Sequence, residues 1–164
     1  SMQKVGICNT IASLGSAWTA QQFESLKRYA TKLCFLPDAD EIKSGEKYGT
    51  GIKKVMVNGL LAIRNGFSVS VREIPLGKGN SKQDPGSYIT GKPIYNDLEE
   101  EDFITWYAKY IFDDCETTDD KSRAINTICS MVATLKDDVK EEMYVSKLQD
   151  IYKNKNILYF DNLQ

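Results

Sequence analysis

Short apolar runs in the N-terminal part of the chain predict the strands of a sheet. Cys8–Leu14 and Lys32–Leu36 have the length and composition that are typical of buried strands. Along Phe67–Val71, apolar residues alternate with polar ones, which predicts a strand with one buried face. Between these runs, apolar residues recur at the spacing of a helix. The order strand, helix, strand, helix, strand is typical of a parallel sheet with crossover helices.

The first predicted helix has clear start signals. Thr19 and Gln22 have the spacing of a capping box. Trp18 and Phe23 flank this box at the positions of a hydrophobic staple, which fixes how the chain enters a helix. We expect this helix to run to about Tyr29.

A polar, glycine-bearing loop at 41–51 leads to the second predicted helix. The Asn65-Gly66 pair supplies a left-handed stop, which is typical of a helix C-terminus. The apolar residues of this helix recur at helical spacing and are Ile52, Val55, Met56, Leu60 and Ile63.

Beyond Gly91–Asp97 the pattern changes from mixed to helical, which predicts a boundary between two domains. Apolar residues then recur on the faces of three successive helices, a pattern typical of a small bundle. We expect an α/β domain at 1–92, a helical subdomain at 93–153 and a tail at 154–164. The three faces hold Phe103, Trp106, Tyr107, Tyr110 and Ile111; Ile125, Ile128, Val132 and Leu135; and Val139, Met143, Tyr144, Leu148, Ile151 and Tyr152.

The composition is ordinary for a globular protein and narrows the function classes only slightly. The 164 residues are 41% hydrophobic and 27% charged, and the formal net charge is -2. This charge argues against a broadly basic surface for nucleic acid, although a local basic groove is compatible with it. No apolar run approaches the roughly 20 residues that span a bilayer, and no signal peptide is visible. We therefore expect a cytoplasmic protein without a membrane partner.

Histidine is absent from the sequence, and this absence limits the chemistry. Without an imidazole base, a Ser/His or Cys/His nucleophilic mechanism is excluded, so catalysis would rest on carboxylates, metals or lysine. The four cysteines, Cys8, Cys34, Cys115 and Cys129, form no Cys-x-x-Cys pair. We expect buried free thiols rather than a zinc site or disulfides.

Carboxylates follow the second predicted strand at its carboxyl end. Asp38 and Asp40 come soon after the apolar run Leu33-Cys34-Phe35, and on an extended backbone residues two apart point to the same side. Both could address one hard cation such as Mg²⁺, which prefers carboxylate oxygens. Sites of parallel sheets lie at the carboxyl ends of strands, which favours this interpretation over a solvated turn. Asp84 is expected at the same rim, with the starting of a turn as its alternative role.

Two lysine-bearing loops lie close to these acids in the sequence. Their lysines are candidates for contact with phosphate or nucleic acid by proximity alone, and a solvated side chain is the alternative for each. The candidates are Lys43 and Lys47 in the loop before the second helix, and Lys78 and Lys82 in the loop after the third strand.

Several motifs follow one another along the chain: Ile11–Thr19, Cys34-Phe35, Asp38-Ala39-Asp40, Ile74–Gly77 and, after an insertion, Asp84–Ile89. Taken in order, they resemble the Toprim domain of bacterial DnaG-type DNA primases. That family has an Ala-Ser-Leu-Gly-Thr strand and turn, a helix, a Cys-Phe strand, an Asp-x-Asp turn and a Leu-Pro-x-Gly-x-Asp-Pro-Asp loop. Downstream, Asp138–Leu148 is similar to the helix that closes the primase polymerase domain.

The resemblance covers roughly residues 5–153. It implies a partial Toprim fold, which is a Rossmann-like parallel sheet with crossover helices, followed by a small helical bundle. It also implies that Asp38 and Asp40 bind Mg²⁺ or Mn²⁺, with Asp84 as a weaker third ligand. The family uses these metals for nucleotidyl transfer and makes short RNA primers from nucleoside triphosphates on single-stranded DNA. A replicative helicase is a further partner that the resemblance suggests.

The chain also departs from the family pattern. The family's metal-binding glutamate lies in a Glu-Gly-Tyr-x-Asp-type motif on an earlier strand, and this sequence does not contain that motif. Gly86 replaces the second acid of the Asp-Pro-Asp loop. We therefore expect a C-terminal piece of a primase polymerase domain that lacks its first strand and the rest of its N-terminal part. Such a piece is expected to be inactive as an isolated chain.

Two other functions stay open as alternatives. A Toprim nuclease or topoisomerase would share the acidic rim, although no topoisomerase-specific motif is visible. A non-catalytic replication scaffold module with a degraded metal site would account for the missing glutamate and for Gly86. Cleavage of supercoiled DNA would identify the first alternative, and the lack of stabilisation by metal would favour the second.

Overall fold

Two short parallel strands lie at the centre of the N-terminal part of the computed structural model. β1 (Lys32–Phe35) pairs with β2 (Ser68–Arg72), and Phe35 lies opposite Val71. β3 (Glu100–Asp102) completes a three-stranded mixed sheet in the order β1-β2-β3. The predicted parallel pairing across a crossover helix is confirmed for β1 and β2, and the fold class is α/β as predicted.

The helices occupy the intervals that the sequence pattern indicates. α1 (Ala20–Leu26) precedes β1, and α2 (Thr50–Arg64) connects β1 to β2. Two short helices, α3 (Pro85–Tyr88) and α4 (Lys92–Asp97), lie between β2 and β3. The C-terminal helices are α5 (Phe103–Asp113), α6 (Thr118–Ala133) and α7 (Asp138–Asn154).

The structure describes residues 2–12 and 17–154. By its internal contacts the chain forms two units, Ser1–Glu101 with the sheet and Asp102–Gln164 with the long C-terminal helices. The predicted limits of the α/β domain, 1–92, and of the helical subdomain, 93–153, stay a prediction. The predicted tail at 154–164 lies, apart from its first residue, outside the described residues. Within these described ranges, every helix is too short or too polar to cross a membrane.

The start of α1 confirms the predicted capping box. The Gln22 N–H donates to the Thr19 Oγ1 at 3.2 Å, and the Thr19 N–H donates to the Gln22 Oε1 at 2.8 Å. Two of the helix's exposed N-terminal donors are thereby satisfied. The helix ends at Leu26 rather than near Tyr29, whose side chain is 85% exposed and so offers no burial to extend it.

Phe23 anchors α1 in the core of the sheet unit. Its side chain is fully buried, and the centroid of its ring lies 5.3 Å from that of Trp18 and 5.8 Å from that of Phe67. The stacked contact with Trp18 confirms the predicted staple. Val69 and Val71 of β2 are buried as well, and their polar neighbours are less so, which confirms a strand with one buried face.

The C-terminus of α2 returns the chain directly into β2. Gly66 has a φ of 82°, the left-handed conformation that glycine adopts without steric cost. Its N–H donates to the Ile63 carbonyl at 2.7 Å, and the Phe67 N–H donates to the Ala62 carbonyl at 3.1 Å. These two bonds form a Schellman motif, so the predicted left-handed stop is confirmed.

The predicted strand at Cys8–Leu14 is wrong for the residues that the structure describes. Cys8 to Ala12 form no strand, and Ile11 is 61% exposed. A short apolar run becomes a buried strand only where a sheet offers it a partner and a covering layer, and Ile11 has no such covering here. The end of the predicted strand, Ser13 and Leu14, lies outside the described residues.

The cysteines are free, as predicted, but the predicted burial is wrong, since none of the four is fully buried. Cys8 and Cys34 are exposed, while Cys115 and Cys129 are partly buried. Cys34 is exposed because exposure alternates along β1, where Leu33 and Phe35 are turned to the more covered side. The apolar surroundings of Cys34 in the sequence therefore did not predict its own orientation.

The C-terminal unit is a small bundle in which α5 contacts both α6 and α7. The aromatic residues of α5 form its core, since Phe103, Trp106 and Tyr107 are buried. The Phe112 ring meets the ring of Tyr152 edge to face at 4.5 Å between centroids. These aromatic side chains therefore stabilise the bundle, as the sequence pattern predicts.

Candidate metal site

An antiparallel bridge brings the acidic turn after β1 to the loop that follows β2. The Ala39 N–H donates to the Gln83 carbonyl at 2.9 Å, and the Gln83 N–H donates to the Ala39 carbonyl at 2.8 Å. Side chains alternate along an extended backbone, so the residues on either side of a bridge point to one common side. By this register Asp40 lies opposite Lys82, and Asp38 lies opposite Asp84.

The two predicted metal ligands converge on one cation, the ammonium of Lys82. The Lys82 Nζ lies 2.9 Å from the Asp40 Oδ1 and 3.3 Å from the Asp38 Oδ2. The Asp40 side chain is only 14% exposed, whereas that of Asp38 is 44% exposed. The structure thus places Asp38 and Asp40 on the same side of the turn, around a position that a positive charge occupies.

The N-terminus of α2 holds the Asp40 carboxylate in place. The Gly51 N–H donates to the Asp40 Oδ2 at 2.6 Å, which leaves Oδ1 for the cation position. Burial raises the pKa of Asp40, but the hydrogen bonds from Lys82 and Gly51 outweigh it, so the pKa lies below its ordinary value. The hydrogen bonds of the Lys82 ammonium, first with Asp40 and then with Asp38, raise the pKa of Lys82.

Two glycines allow α2 to approach the acidic turn this closely. A Cβ at Gly49 would lie 2.8 Å from the Asp40 carbonyl oxygen, and a Cβ at Gly51 would clash with the Asp38 carbonyl oxygen. Neither glycine has a positive φ, unlike Gly66. Glycine is therefore needed at these positions because a side chain would not fit, rather than for its backbone conformation. The sequence signal for this close approach is the Gly-x-Gly at the start of the helix, a segment whose composition predicts only a loop.

Gly51→Ala is expected to lower the free energy of unfolding by about 1–3 kcal/mol, because the added methyl group must displace the Asp38 carbonyl. Helix propensity alone predicts the opposite sign, since alanine is the better helix former. Urea unfolding followed by circular dichroism measures the change. Thr50→Ala at the neighbouring exposed position is the control and should stay within about 0.5 kcal/mol of the wild type. A more stable Gly51→Ala protein would contradict the close approach.

Asp84 takes the role of a helix cap in the structure. Its Oδ1 accepts a hydrogen bond from the Ser87 N–H at 3.1 Å at the start of α3. Hydrogen bonding with Ser87, first with its side chain and then with its backbone N–H, lowers the pKa of Asp84. Asp84 also directly follows Gln83, which forms the bridge to Ala39. It therefore lies beside the acidic turn, and its assignment as a third ligand stays a prediction.

The four predicted lysines lie in different surroundings. Lys82 contacts both acids, and Lys43 lines the cavity that extends beside them. Lys78 begins a short 3-10 turn in the loop after β2, and Lys47 lies in the loop before α2. A fifth lysine, Lys54 in the first turns of α2, was not among the predicted residues, and its charge helps to lower the pKa of Asp40. Their roles in phosphate contact stay predictions.

A cavity of about 1360 Å³ opens at this site. Asp38, Asp40, Lys54 and Lys82 line it, and it extends along β1 to Cys34. A mixed lining of carboxylates and ammonium groups suits a ligand that carries phosphates and a divalent cation. The volume lies above the usual range for a small-molecule site, so it could hold an extended ligand.

The donor set fits Mg²⁺ or Mn²⁺ on two grounds. Mg²⁺ is commonly held by one or two carboxylates together with water and substrate phosphates, and two carboxylates converge here. The Lys82 ammonium lies between the two carboxylates, so this position accommodates a positive charge. No group of three or more His, Cys, Asp or Glu side chains is arranged to hold a metal within residues 2–12 and 17–154.

The chain is similar to bacterial DNA primases over most of its length. It is 29% identical over 157 residues to a DNA primase of Clostridium acetobutylicum, which covers 92% of this chain and 24% of the relative. It is 26% identical over 162 residues to a DNA primase of Listeria innocua, and 25% identical to one of Listeria monocytogenes, each covering 93% of this chain and 24% of the relative. The chain thus spans about a quarter of the length of these curated relatives.

A solved structure shows the same similarity at the level of fold. The crystal structure of the Aquifex aeolicus primase, comprising zinc-binding and RNA polymerase domains, matches with a TM-score of 0.61 at 21% identity. The match covers 93% of this chain and 34% of that chain. No protein-family model matches the sequence. The resemblance to a DnaG-type primase is therefore confirmed, and the fold is similar to a primase domain.

Proposed function

We propose that this chain is part of the RNA polymerase domain of a DnaG-type DNA primase and supplies two of the metal-binding carboxylates. The observation that carries the proposal is the convergence of Asp38 and Asp40 on one cation position at the carboxyl end of β1. This is where sites of parallel α/β sheets lie. The similarity to DNA primases over more than nine-tenths of the chain supports the same function. On this proposal the sheet unit is a partial Toprim domain.

In this proposal the protein's own groups bind and orient the reacting phosphates. Asp38 and Asp40 hold Mg²⁺ or Mn²⁺, with Gly51 fixing the free oxygen of Asp40 towards it. When bound, the metal neutralises triphosphate charge and lowers the pKa of the attacking hydroxyl. Asp84, beside the bridge, is proposed as a weaker third ligand. The lysines proposed to contact phosphates or the template are Lys43, Lys47, Lys78 and Lys82.

The intact protein is proposed to make short RNA primers from nucleoside triphosphates on single-stranded DNA. Its relatives are DNA primases, which supports a role in replication. Replication of a bacterial chromosome takes place in the cytoplasm, so we propose that location, with a replicative helicase as a partner. The glutamate motif that the family also uses for metal binding is not found in this chain. The isolated chain is therefore proposed to be inactive.

One observation favours a second function, a non-catalytic replication module with a degraded site. The Lys82 ammonium already pairs with both acids, and the part of the chain that the structure describes holds no group of three or more His, Cys, Asp or Glu side chains arranged for a metal. Such a module would keep the fold and its partners without binding a metal. The two functions differ in whether Mn²⁺ stabilises the protein, because a ligand of the native state raises the melting temperature.

The proposed function is tested by primer synthesis with the intact protein that contains this chain. Single-stranded DNA, nucleoside triphosphates and Mg²⁺ or Mn²⁺ are supplied, and short labelled RNA products are resolved on a gel. Metal-dependent primers support the proposal, and their disappearance on chelation by EDTA confirms the metal dependence. Cleavage of supercoiled plasmid without primers would instead identify a nuclease or topoisomerase. Neither activity, without stabilisation by Mn²⁺, would favour the non-catalytic module.

A further inference from the structure

Lys82 occupies the position between the two acids that the proposed function assigns to a divalent cation. Its ammonium contacts one oxygen of each, Asp40 Oδ1 at 2.9 Å and Asp38 Oδ2 at 3.3 Å. The other oxygen of Asp40 is bound by the Gly51 N–H. A cation that used both acids would therefore compete with Lys82 for the Asp40 Oδ1 and would have to lie beside the same ammonium at Asp38.

The backbone delivers Lys82 to this position. Gln83, its neighbour, forms two hydrogen bonds with Ala39, which lies between the acids. The loop before it is tied by the Gly77 N–H, which donates to the Ser81 carbonyl at 2.8 Å. The contact is thus built into the fold at the bridge, while the long side chain beyond the backbone stays free to rotate.

The contact is also easy to break. The Lys82 side chain is 59% exposed, so its ammonium exchanges ion pairing for water at little cost. A lysine ammonium is a strongly hydrated charge on a flexible stem. The Asp40 carboxylate, in contrast, is nearly covered and is fixed by Gly51. The acids therefore form the lasting part of the site, and the lysine forms the part that can leave.

We propose that Lys82 is an intramolecular competitor of the divalent cation at Asp38 and Asp40. It pairs with the acids when no metal is bound and leaves them when a metal binds. This inference rests on the proposed metal site. Its physical consequence is that metal binding includes the breaking of two ion pairs, which weakens the affinity and makes the site respond to the metal concentration.

Lys82→Met is the test, because methionine keeps an unbranched side chain but removes the charge. We expect this variant to bind Mn²⁺ about three- to ten-fold more tightly than the wild type, since the binding no longer breaks exposed ion pairs. The dissociation constant is measured on the full chain from the electron paramagnetic resonance signal of free Mn²⁺. Lys27→Met is the matched control, because Lys27, directly after the C-terminus of α1, forms a 2.9 Å ion pair with Glu24. It should leave the affinity unchanged.

Melting temperatures provide a second readout that does not depend on activity. Without metal, Lys82→Met should melt about 2–4 °C below the wild type, because the two carboxylates lose the ion-pair partner that they share. At saturating Mn²⁺ the difference should close, because the metal has replaced the lysine in the wild type. A difference that persists at saturation would overturn the competition, since it would mean that Lys82 still contacts the acids.

The outcomes separate the two proposals. Equal or weaker Mn²⁺ binding by Lys82→Met, with binding by the wild type, overturns the competition and leaves the metal site in place. Loss of binding in Asp38→Asn shows that the measured Mn²⁺ is at this site. No Mn²⁺ binding by either the wild type or Lys82→Met overturns the competition, whereas the proposed function is decided separately by metal-dependent primer synthesis with the intact protein.

Discussion

Asp40→Asn is expected to lower primer synthesis by the intact protein by about two to three orders of magnitude. Losses of this size are typical when one group that stabilises charge in the transition state is removed. Asp40 is the better fixed of the two acids, since its side chain is 14% exposed and Gly51 binds its second oxygen. Asparagine keeps the shape of the side chain and an oxygen that can accept the Gly51 hydrogen bond. The negative charge that is proposed to attract the metal is lost, while the fold should be kept.

Asp84→Asn is the matched control for this substitution. Asparagine caps helices as well as aspartate does, so the bond to the Ser87 N–H at the start of α3 should survive. Because Asp84 is proposed only as a weaker third ligand, Asp84→Asn should lower activity much less than Asp40→Asn does. Primer yield per enzyme is compared at equal template and metal concentrations, with circular dichroism to confirm folding. Near wild-type synthesis by a folded Asp40→Asn protein would contradict the assignment of the metal ligands.

Phe23→Ala is expected to lower the free energy of unfolding of the sheet unit by about 3–5 kcal/mol. The side chain is fully buried and contacts the rings of Trp18 and Phe67, so its removal leaves a cavity that α1 and β2 cannot fill. Loss of this magnitude is a large part of the stability of a typical small domain. Urea unfolding monitored by far-ultraviolet circular dichroism measures the change.

Phe23→Leu is the graded control for the core. Leucine keeps most of the apolar volume and should cost less than about 1.5 kcal/mol, because a hydrophobic side chain of similar size repacks with little strain. Val139, which is 69% exposed on α7, offers an outside reference, and Val139→Ala should change stability by no more than about 0.5 kcal/mol. A loss below 1 kcal/mol in Phe23→Ala would mean that α1 is not packed as the structure shows.

The features that the sequence predicted correctly are those with local causes. The Thr19 box, the Asn65-Gly66 stop and the one-sided burial of β2 each depend on residues within a few positions of one another. The pairing of β1 with β2 followed from the order of elements, because parallel neighbours need a crossover helix. Local signals of this kind therefore sufficed to place the acidic turn at the end of a strand.

The features that the sequence missed depend on contacts between distant residues. The bridge between Ala39 and Gln83 joins residues that are far apart in the sequence and share no periodic pattern. Because this bridge brings Lys82 to the acids, the sequence did not predict which of the four candidate lysines contacts them. The apolar run at Cys8 satisfied the pattern of a buried strand, but burial requires a covering layer that a local pattern does not specify. The roles of Gly49 and Gly51 were not predictable for the same reason. The backbone of Asp38 and Asp40, which packs against these glycines, lies in another segment of the chain.

Paramagnetic broadening by Mn²⁺ in an amide NMR spectrum of the chain tests the metal site residue by residue. If Asp38 and Asp40 bind the cation, the amide signals of Asp38–Asp40, Gly51 and Lys82 should broaden first as Mn²⁺ is added. The signals of the acid-rich segment at 113–120 should stay sharp at the same concentration. Broadening centred on that segment, or none at the acidic turn, would contradict a divalent metal site at Asp38 and Asp40.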